Sequence, residues 1–345
     1  MRIAIDAMGG DHAPDEIVRG ALLYRGSARE DHRSPGEDRG SGGRAEIVLV
    51  GREEDVRRAL GAGADGISVV DARDVVAMGE HPSSALRRRG GSSIQVATQL
   101  VKDGRADGVV SAGNTGATMA AALLVLGRVR GIDRPALCGM LPTSKGRPAC
   151  LLDGGATMDA TAQNILDYAR MASRFMERVH GVARPTVGLL NVGEEPEKGG
   201  RLQLEAHALL AAAGDLVFYG NVEGRDILQG TTDIVVTDGF TGNTVAKAME
   251  GVVDVFTDGI RDEIFGGALG KVAALLALPG IRRLRRRLDY EPYVSAPLLG
   301  VNGVSVVTHG RARARMVKLA IDVAERSIAT DLIGAIGAGA TAAKA

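Results

Sequence analysis

Short runs of β-branched and aliphatic residues recur along this chain, separated by longer stretches in which apolar residues return every three or four positions. The runs at 2–6, 46–50, 67–70, 108–111, 149–153, 186–191, 216–220, 233–237 and 304–308 predict β-strands. The stretches 118–126, 160–179 and 202–212 have helical spacing. Strand–helix alternation of this kind predicts an α/β fold, a mainly parallel sheet with helices on both faces, read as a single domain over 1–345. In such sheets ligands bind beyond the carboxyl ends of the strands, so the loops that follow strands are where chemistry is sought.

Three segments break the alternation. Residues 27–44 are polar, charged and glycine-rich and predict a solvated, mobile loop. Residues 254–288 keep helical spacing with no intervening strand, interrupted at Pro279-Gly280, and predict a helical pair projecting over 254–290. The low-complexity end, 333–345, is expected to fray.

Composition narrows the function. Lys plus Arg balances Asp plus Glu at 42 each, so no global field draws polyanions. Aromatics are 3% and Trp is absent, which makes the core aliphatic and argues against base-stacking nucleic-acid binding. Cys138 and Cys150 sit in apolar stretches without metal-ligand spacing and read as small buried hydrophobes. No apolar run approaches the ~20 residues of a spanning helix, and the N-terminus reads as a strand, so a cytoplasmic or peripheral protein is expected.

Candidate chemistry lies in an internal echo. Residues 107–118 read DGVVSAGNTGAT and 233–244 read DIVVTDGFTGNT, both fitting D-x-V-V-[ST]-x-G-x-T-G-x-T. Each predicts a buried strand, a Gly-x-Thr-Gly turn and a helix start, where backbone N–H groups can hold an anion. This singles out Gly113, Asn114, Thr115 and Gly116 in the first copy, and Gly239, Thr241, Gly242 and Asn243 in the second. A pair of tight strand-to-helix turns with no ligand is the plainer alternative.

Other strand ends add candidates. The first strand runs into Asp6, Gly9, Gly10, Asp11 and His12 ahead of a helix opened near Pro14, with His12 a possible acid or base. After residue 191 come three glutamates and Lys198 among glycines, either a lysine aimed by acidic neighbours or a solvated charge run. Arg225 is a fork suited to phosphate or to an ordinary ion pair.

The strings IDAMGGDHAP, SAGNTGA, GRVRGIDRPAL, VGLLNVGEEPEKG, GNVEGRD and VTDGFTGN, from Ile5 to Asn243, occur in the order and spacing of the bacterial acyl-ACP:phosphate acyltransferases. The chain resembles this PlsX family along nearly its whole length, continuing through the C-terminal LLGVNG and His309-Gly310. The resemblance implies a homodimeric Rossmann-like enzyme, isopropylmalate dehydrogenase-like and phosphotransacetylase-like in fold. It implies acyl transfer from acyl-ACP to inorganic phosphate, giving acyl phosphate for a downstream glycerol-3-phosphate acyltransferase. No cofactor and no metal is implied.

Phosphate is itself the nucleophile of that reaction, so no Ser-His-Asp triad is needed, and no G-x-S-x-G is present. The expected roles follow from the resemblance. The two glycine turns hold phosphate and thioester oxygens through N–H groups, Asn114, Thr115 and Asn243. Lys198 neutralises charge, and His12 or Asp11 orients phosphate or relays a proton. The family's Leu-Leu-Asp-Val-Gly-Ala-Asn stands here as LLDGGAT, and its serine after His-Gly is Ala312, which puts Thr157 and Ala312 in doubt as contacts. In residues 269–288 an apolar stretch stands beside dense arginines and is expected to touch an anionic membrane surface. The alternatives are a phosphotransacetylase acting on acyl-CoA, an NAD-dependent dehydrogenase of related fold, and a non-catalytic membrane scaffold.

Overall fold

The computed structural model describes residues 1–27, 44–62, 65–80, 91–260, 277–280 and 295–342. Its strands are β1 (Arg2–Asp6), β2 (Glu46–Gly51), β3 (Ile67–Asp71), β4 (Gly108–Ser111), β5 (Ala136–Leu137), β6 (Gly139–Leu141), β7 (Ala149–Leu152), β8 (Thr186–Leu190), β9 (Val217–Val222), β10 (Ile234–Val236), β11 (Ala296–Leu299) and β12 (Val304–Val307). They form two sheets, ordered β3-β2-β1-β4-β12-β11-β5 and β6-β7-β10-β8-β9. The α/β class and the parallel pairing are as the alternation predicts, but the strands divide over two sheets. All pairings are parallel except those of β11 with β12 and β5, and of β6 with β7. The chain steps from the first sheet to the second between β5 and β6.

Both sheets are covered on both faces, which is why their strands are apolar at successive positions. On β1, Ile3 and Ile5 turn towards α1 (Asp15–Gly26) and α9 (Ala314–Ala329), where Tyr24, Val317 and Ile321 meet them. Ala4 turns to the opposite face, against Ile94, Ala97 and Leu100 of α3 (Ser93–Lys102). In the second sheet Cys150, Leu152, Ile234 and Val236 pack on α5 (Ala162–His180) through Ile165, Tyr168 and Phe175. Leu151 and Val235 face the other way, towards Val245 and Met249 of α8 (Gly239–Gly259). Each fully buried aliphatic side chain contributes roughly 2 kcal/mol, so burial on alternating faces fixes the register.

Local chemistry sets the ends of α5. Thr161 and Asn164 form a reciprocal capping box at its start, and Gly181, at φ +67°, closes its end. Four further helices, α2 (Glu53–Leu60), α4 (Thr115–Ala121), α6 (Arg201–Ala212) and α7 (Gly224–Gln229), complete the alternation, and a π-helical turn over Ala122–Leu126 extends α4.

Three expectations are corrected. The end of the chain does not fray at residue 333: Leu332–Ala342 is helix α10, and Leu332, Ile336 and Ala340 enter the core under α5. Arg44, placed in the mobile loop, lies 4.4 Å over the Tyr24 ring and pairs with Asp322 at 2.9 Å. Residues 28–43 of that loop lie outside the described residues. Residues 277–280 are helical, so Pro279-Gly280 does not make the expected turn; the fixed φ of proline suits a helix as well. The rest of the projection beyond residue 260, including the arginine-rich stretch, is outside the described residues. No described helix is long and apolar enough to cross a membrane.

His180, in the last turn of α5, has a buried Nε2 with no hydrogen-bond partner among the described residues and an edge-on contact with Phe175 at 5.1 Å. Burial, reinforced by Arg326, pushes its pKa down to about 4. Between the unfolded value of about 6.5 and 4, the unfolded chain takes up a proton that the folded chain refuses. The neutral ring therefore costs nothing above pH 6.5, and stability is lost as pH falls towards 4, by roughly 3 kcal/mol in full. Denaturant titrations from pH 7 to pH 4 should show this loss in the native chain and a flatter profile in His180→Leu.

Candidate active site

Three strand ends of the first sheet meet at one point. Asp6 ends β1, Ser111 ends β4 beside it in register, and Thr308 follows β12, its N–H donating to the Ser111 carbonyl at 2.9 Å. Asp6 is buried, and its Oδ2 accepts the Ser111 hydroxyl at 2.8 Å. Ser111 Oγ in turn accepts the Gly113 N–H at 3.0 Å. Burial raises the Asp6 pKa, although the hydroxyls of Ser93 and Ser111 and the Met8 N–H donate to it. Asp6 thus shapes the loop from beneath. Gly9 lies on this relay: a Cβ there would stand 2.6 Å from Asp6 Oδ2 and 2.7 Å from the Gly113 nitrogen, so both loops require bare backbone.

Gly10 packs between Gly310 and Ala112, and the Asp11 N–H donates to the Gly310 carbonyl at 2.8 Å. The Asp11 side chain is exposed and the His12 side chain half-buried, and the His12 ring makes no hydrogen bond among the described residues. Thr115 and Gly116 occupy the first turn of α4, half-buried.

Asn114 departs from its expected role. Its Oδ1 accepts the Ala117 N–H at 3.0 Å as the cap of α4, and its Nδ2 donates to the Met78 carbonyl at 2.8 Å and the Glu80 carbonyl at 3.2 Å. The amide is spent on positioning a loop 36 residues away and is not a free donor to an oxyanion.

The second sheet repeats the design around a different carboxylate. Asp153, buried at the end of β7, accepts N–H bonds from Leu137 (2.9 Å), Gly155 (3.0 Å), Ala156 (2.9 Å) and Thr157 (2.6 Å). Burial raises its pKa against these four donors. The loop so formed seats the second glycine turn, whose Gly239 N–H donates to the Thr157 carbonyl at 2.9 Å. A Cβ on Gly242 would lie 2.0 Å from the Asp153 carbonyl oxygen. Asp238 caps α8, taking the Thr241 N–H at 2.9 Å and its hydroxyl at 2.7 Å, so Thr241 is engaged and contributes no free hydroxyl.

Asn243 is half-buried against Gly155, and its amide has no hydrogen-bond partner among the described residues. Lys198 follows β8, with its N–H donating to Glu195 and its carbonyl accepting from Asn191. Its exposed ammonium makes no ion pair among the described residues. Arg225 is exposed and paired with Glu223 at 3.0 Å and Glu194 at 3.7 Å, an ordinary ion-pair role.

The two halves adjoin. Ala156, from the Asp153 loop, packs against the small core of Ala122, Leu126, Leu298 and Val301 behind α4, so the loop that seats the second glycine turn lies against the helical segment that the first one opens. Sequence reasoning missed Asp153, Asp238 and Ser111 as organisers; the visible signal for the two aspartates was their place at a strand end just ahead of glycine, Asp153-Gly154 and Asp238-Gly239, and Ser111 carried no such signal. Thr157 and Ala312 are both buried, Thr157 within the Asp153 loop and Ala312 in the first-sheet core. Among the described residues no cluster of His, Cys, Asp and Glu could hold a metal ion.

Solved structures share this fold. A phosphotransacetylase from Streptococcus pyogenes superposes with a TM-score of 0.57 at 16% identity, over 95% of this chain and 94% of that one. A branched-chain phosphotransacylase from Enterococcus faecalis superposes at 0.52 and 13%, over 95% and 99%. These likenesses establish the fold. Sequence goes further: a phosphate acyltransferase from Heliobacterium modesticaldum is 47% identical over 340 residues, 97% of this chain and 96% of its own length. One from a Synechococcus species is 47% identical over 95% of this chain and 86% of its own. The model of the fatty acid synthesis protein family matches residues 1–334, and the chain belongs to that family. It is an enzyme of the acyltransferase class.

Proposed function

We propose that the chain transfers an acyl group from acyl-ACP to inorganic phosphate, at the seam between the two sheets. The observation that carries this reading is the pair of glycine turns, each set by a buried aspartate and opening a helix, with the Asn243 amide at the second turn, and the Lys198 ammonium in the loop after β8, the strand that pairs with β10, both unengaged among the described residues. A phosphate oxygen attacks the thioester carbon, forming a C–O bond and a tetrahedral oxyanion. Asn243 Nδ2 and the Phe240 N–H, the one N–H in the first turn of α8 not already donated to Thr157 or Asp238 among the described residues, stabilise that oxyanion. Collapse breaks the C–S bond, and the leaving thiolate takes the proton that the attacking phosphate gives up, relayed through His12. Lys198 offsets the charge that phosphate brings.

The wider setting belongs to the same proposal. The product feeds a glycerol-3-phosphate acyltransferase. The exposed Val252, Val253, Val255 and Phe256 on α8 favour a homodimer, and the arginine-rich stretch at 282–287 favours an anionic membrane face from the cytoplasmic side. Salt-sensitive sedimentation with anionic vesicles, and none with neutral ones, is the expected outcome for the membrane contact.

The deciding experiment is phosphate-dependent thiol release from acyl-ACP, with the acyl phosphate trapped by hydroxylamine. Equal turnover on acyl-CoA at the same concentration would instead make the enzyme a phosphotransacetylase; no trapped product from either donor would end the reading. Lys198→Ala should raise the phosphate requirement about 10-fold or more with acyl-ACP binding intact. Lys198→Arg should rescue poorly, since a planar fork does not replace a compact ammonium. An unchanged phosphate dependence would return Lys198 to the solvated loop.

A further inference from the structure

The chain has two cysteines, and the fold sets them against each other. Met140 of β6 is the register partner of Cys150 of β7, and Cys138 lies two positions before Met140. Side chains alternate along a strand, so Cys138, Met140, Cys150 and Leu152 share one face, and all four lie in the core packed on α5. The two thiols are diagonal neighbours across the pair, fully buried, with their sulfurs 2.9 Å apart. That is closer than two sulfur atoms rest without a bond or a hydrogen bond between them.

We propose that Cys138 and Cys150 form a reversible dithiol–disulfide couple that controls the Asp153 loop. A peroxide is the oxidant class. One thiolate attacks a peroxide oxygen, the O–O bond breaks, and a sulfenic acid and water result. The second thiolate attacks the sulfenic sulfur, forming the S–S bond and releasing the second water. The two thiols lose two electrons and two hydrogens, and hydrogen peroxide is reduced to two waters.

Both position and strain make the bond reversible. Diagonal strand neighbours have Cα atoms roughly 7–8 Å apart, whereas disulfides span about 4.4–6.8 Å, so closing the bond requires β6 to shift along β7. β6 is a three-residue strand at the sheet edge, the element best able to move. Burial and the neighbouring Cys150 thiol hold the Cys138 thiol well above its ordinary pKa, so oxidation proceeds through local opening of this edge. A shift of β6 pulls on Leu137, immediately before Cys138. The Leu137 N–H donates to Asp153 Oδ1 at 2.9 Å, and its carbonyl accepts the Gly154 N–H at 2.8 Å. Oxidation therefore loosens the loop that seats the second glycine turn.

The test needs no assay of activity and stands apart from the proposed reaction. The folded, full-length chain is treated with dilute hydrogen peroxide, denatured and alkylated. The expected result is an intact mass lower by two hydrogens, no alkylated thiol, and full reversal by dithiothreitol. Cys150→Ala should keep one alkylated thiol and show no such loss. Hydrogen exchange on the oxidised chain should be roughly 10-fold faster or more at the Leu137, Gly154 and Gly155 amides. Two alkylated thiols after treatment, or a disulfide between two chains, overturns the couple. A bond that forms with those amides still protected overturns its control of the loop.

Discussion

Gly242→Ala is expected to leave a chain that folds poorly and turns over about 10²-fold more slowly or worse. A Cβ at this position meets the Asp153 carbonyl oxygen at 2.0 Å, a contact with backbone that no rotamer relieves. Either α8 withdraws from the loop or the loop withdraws from β7. Withdrawal of α8 carries the Asn243 amide with it, and a misplacement of about 1 Å at a reacting group costs turnover on that scale. Withdrawal of the loop breaks the four N–H bonds to Asp153, leaving a buried carboxylate short of donors. Overpacking of this severity costs about 3 kcal/mol, a large part of ordinary domain stability. Thermal melting should therefore fall by about 6 °C, with turnover measured on whatever fraction stays folded. Gly251→Ala, on the same helix with open space around its Cα, is the control and should melt like the native chain or slightly higher. A Gly242→Ala protein with native melting and native turnover would remove the close approach of α8 to Asp153 from this account.

The strands and the glycine turns were legible because both are local. Alternation within five residues marks Ile3, Ala4 and Ile5 as a strand buried on both sides, and a Gly-x-Thr-Gly after such a strand marks a turn into a helix. The division into two sheets was not legible, because it depends on which strands pair, as when β10 inserts between β7 and β8. The work of Asn114 was hidden for the same reason: its acceptors are the carbonyls of Met78 and Glu80, remote in sequence. Asp153 looked like the end of a strand, and only the folded loop brings the Leu137 N–H to it across 16 residues. α10 was misread because its alanine and glycine content suggests fraying, while packing of Leu332 and Ile336 under α5 outweighs weak propensity. Within the candidate loops, the structure separates the residues that build the backbone from those without a hydrogen-bond partner among the described residues.

That separation yields the last prediction. The two turns read alike as sequence, so Asn114 and Asn243 were expected to behave alike; the structure makes them different. Asn243→Ala removes an amide that makes no hydrogen bond among the described residues, so stability should change by less than about 0.5 kcal/mol. If that amide donates to the oxyanion, turnover should fall about 10²-fold or more, with the phosphate requirement and acyl-ACP binding little changed, since the interaction exists only in the transition state. Asn114→Ala removes a helix cap and the tie to residues 77–80, costing about 1 kcal/mol or more. Its turnover should fall together with its melting temperature. Asn114→Asp separates the roles within that residue: it keeps the Oδ1 acceptor for the Ala117 N–H and loses the donor to Met78 and Glu80. Its cap should survive while the tie to residues 77–80 is lost. Kinetics and melting curves on the three variants, measured side by side, give the answer. Equal loss of turnover at Asn114 and Asn243 with no loss of stability at either would mean that both amides serve the reaction directly. Native turnover in Asn243→Ala would move the oxyanion contact off that side chain and onto the Phe240 N–H at the start of α8.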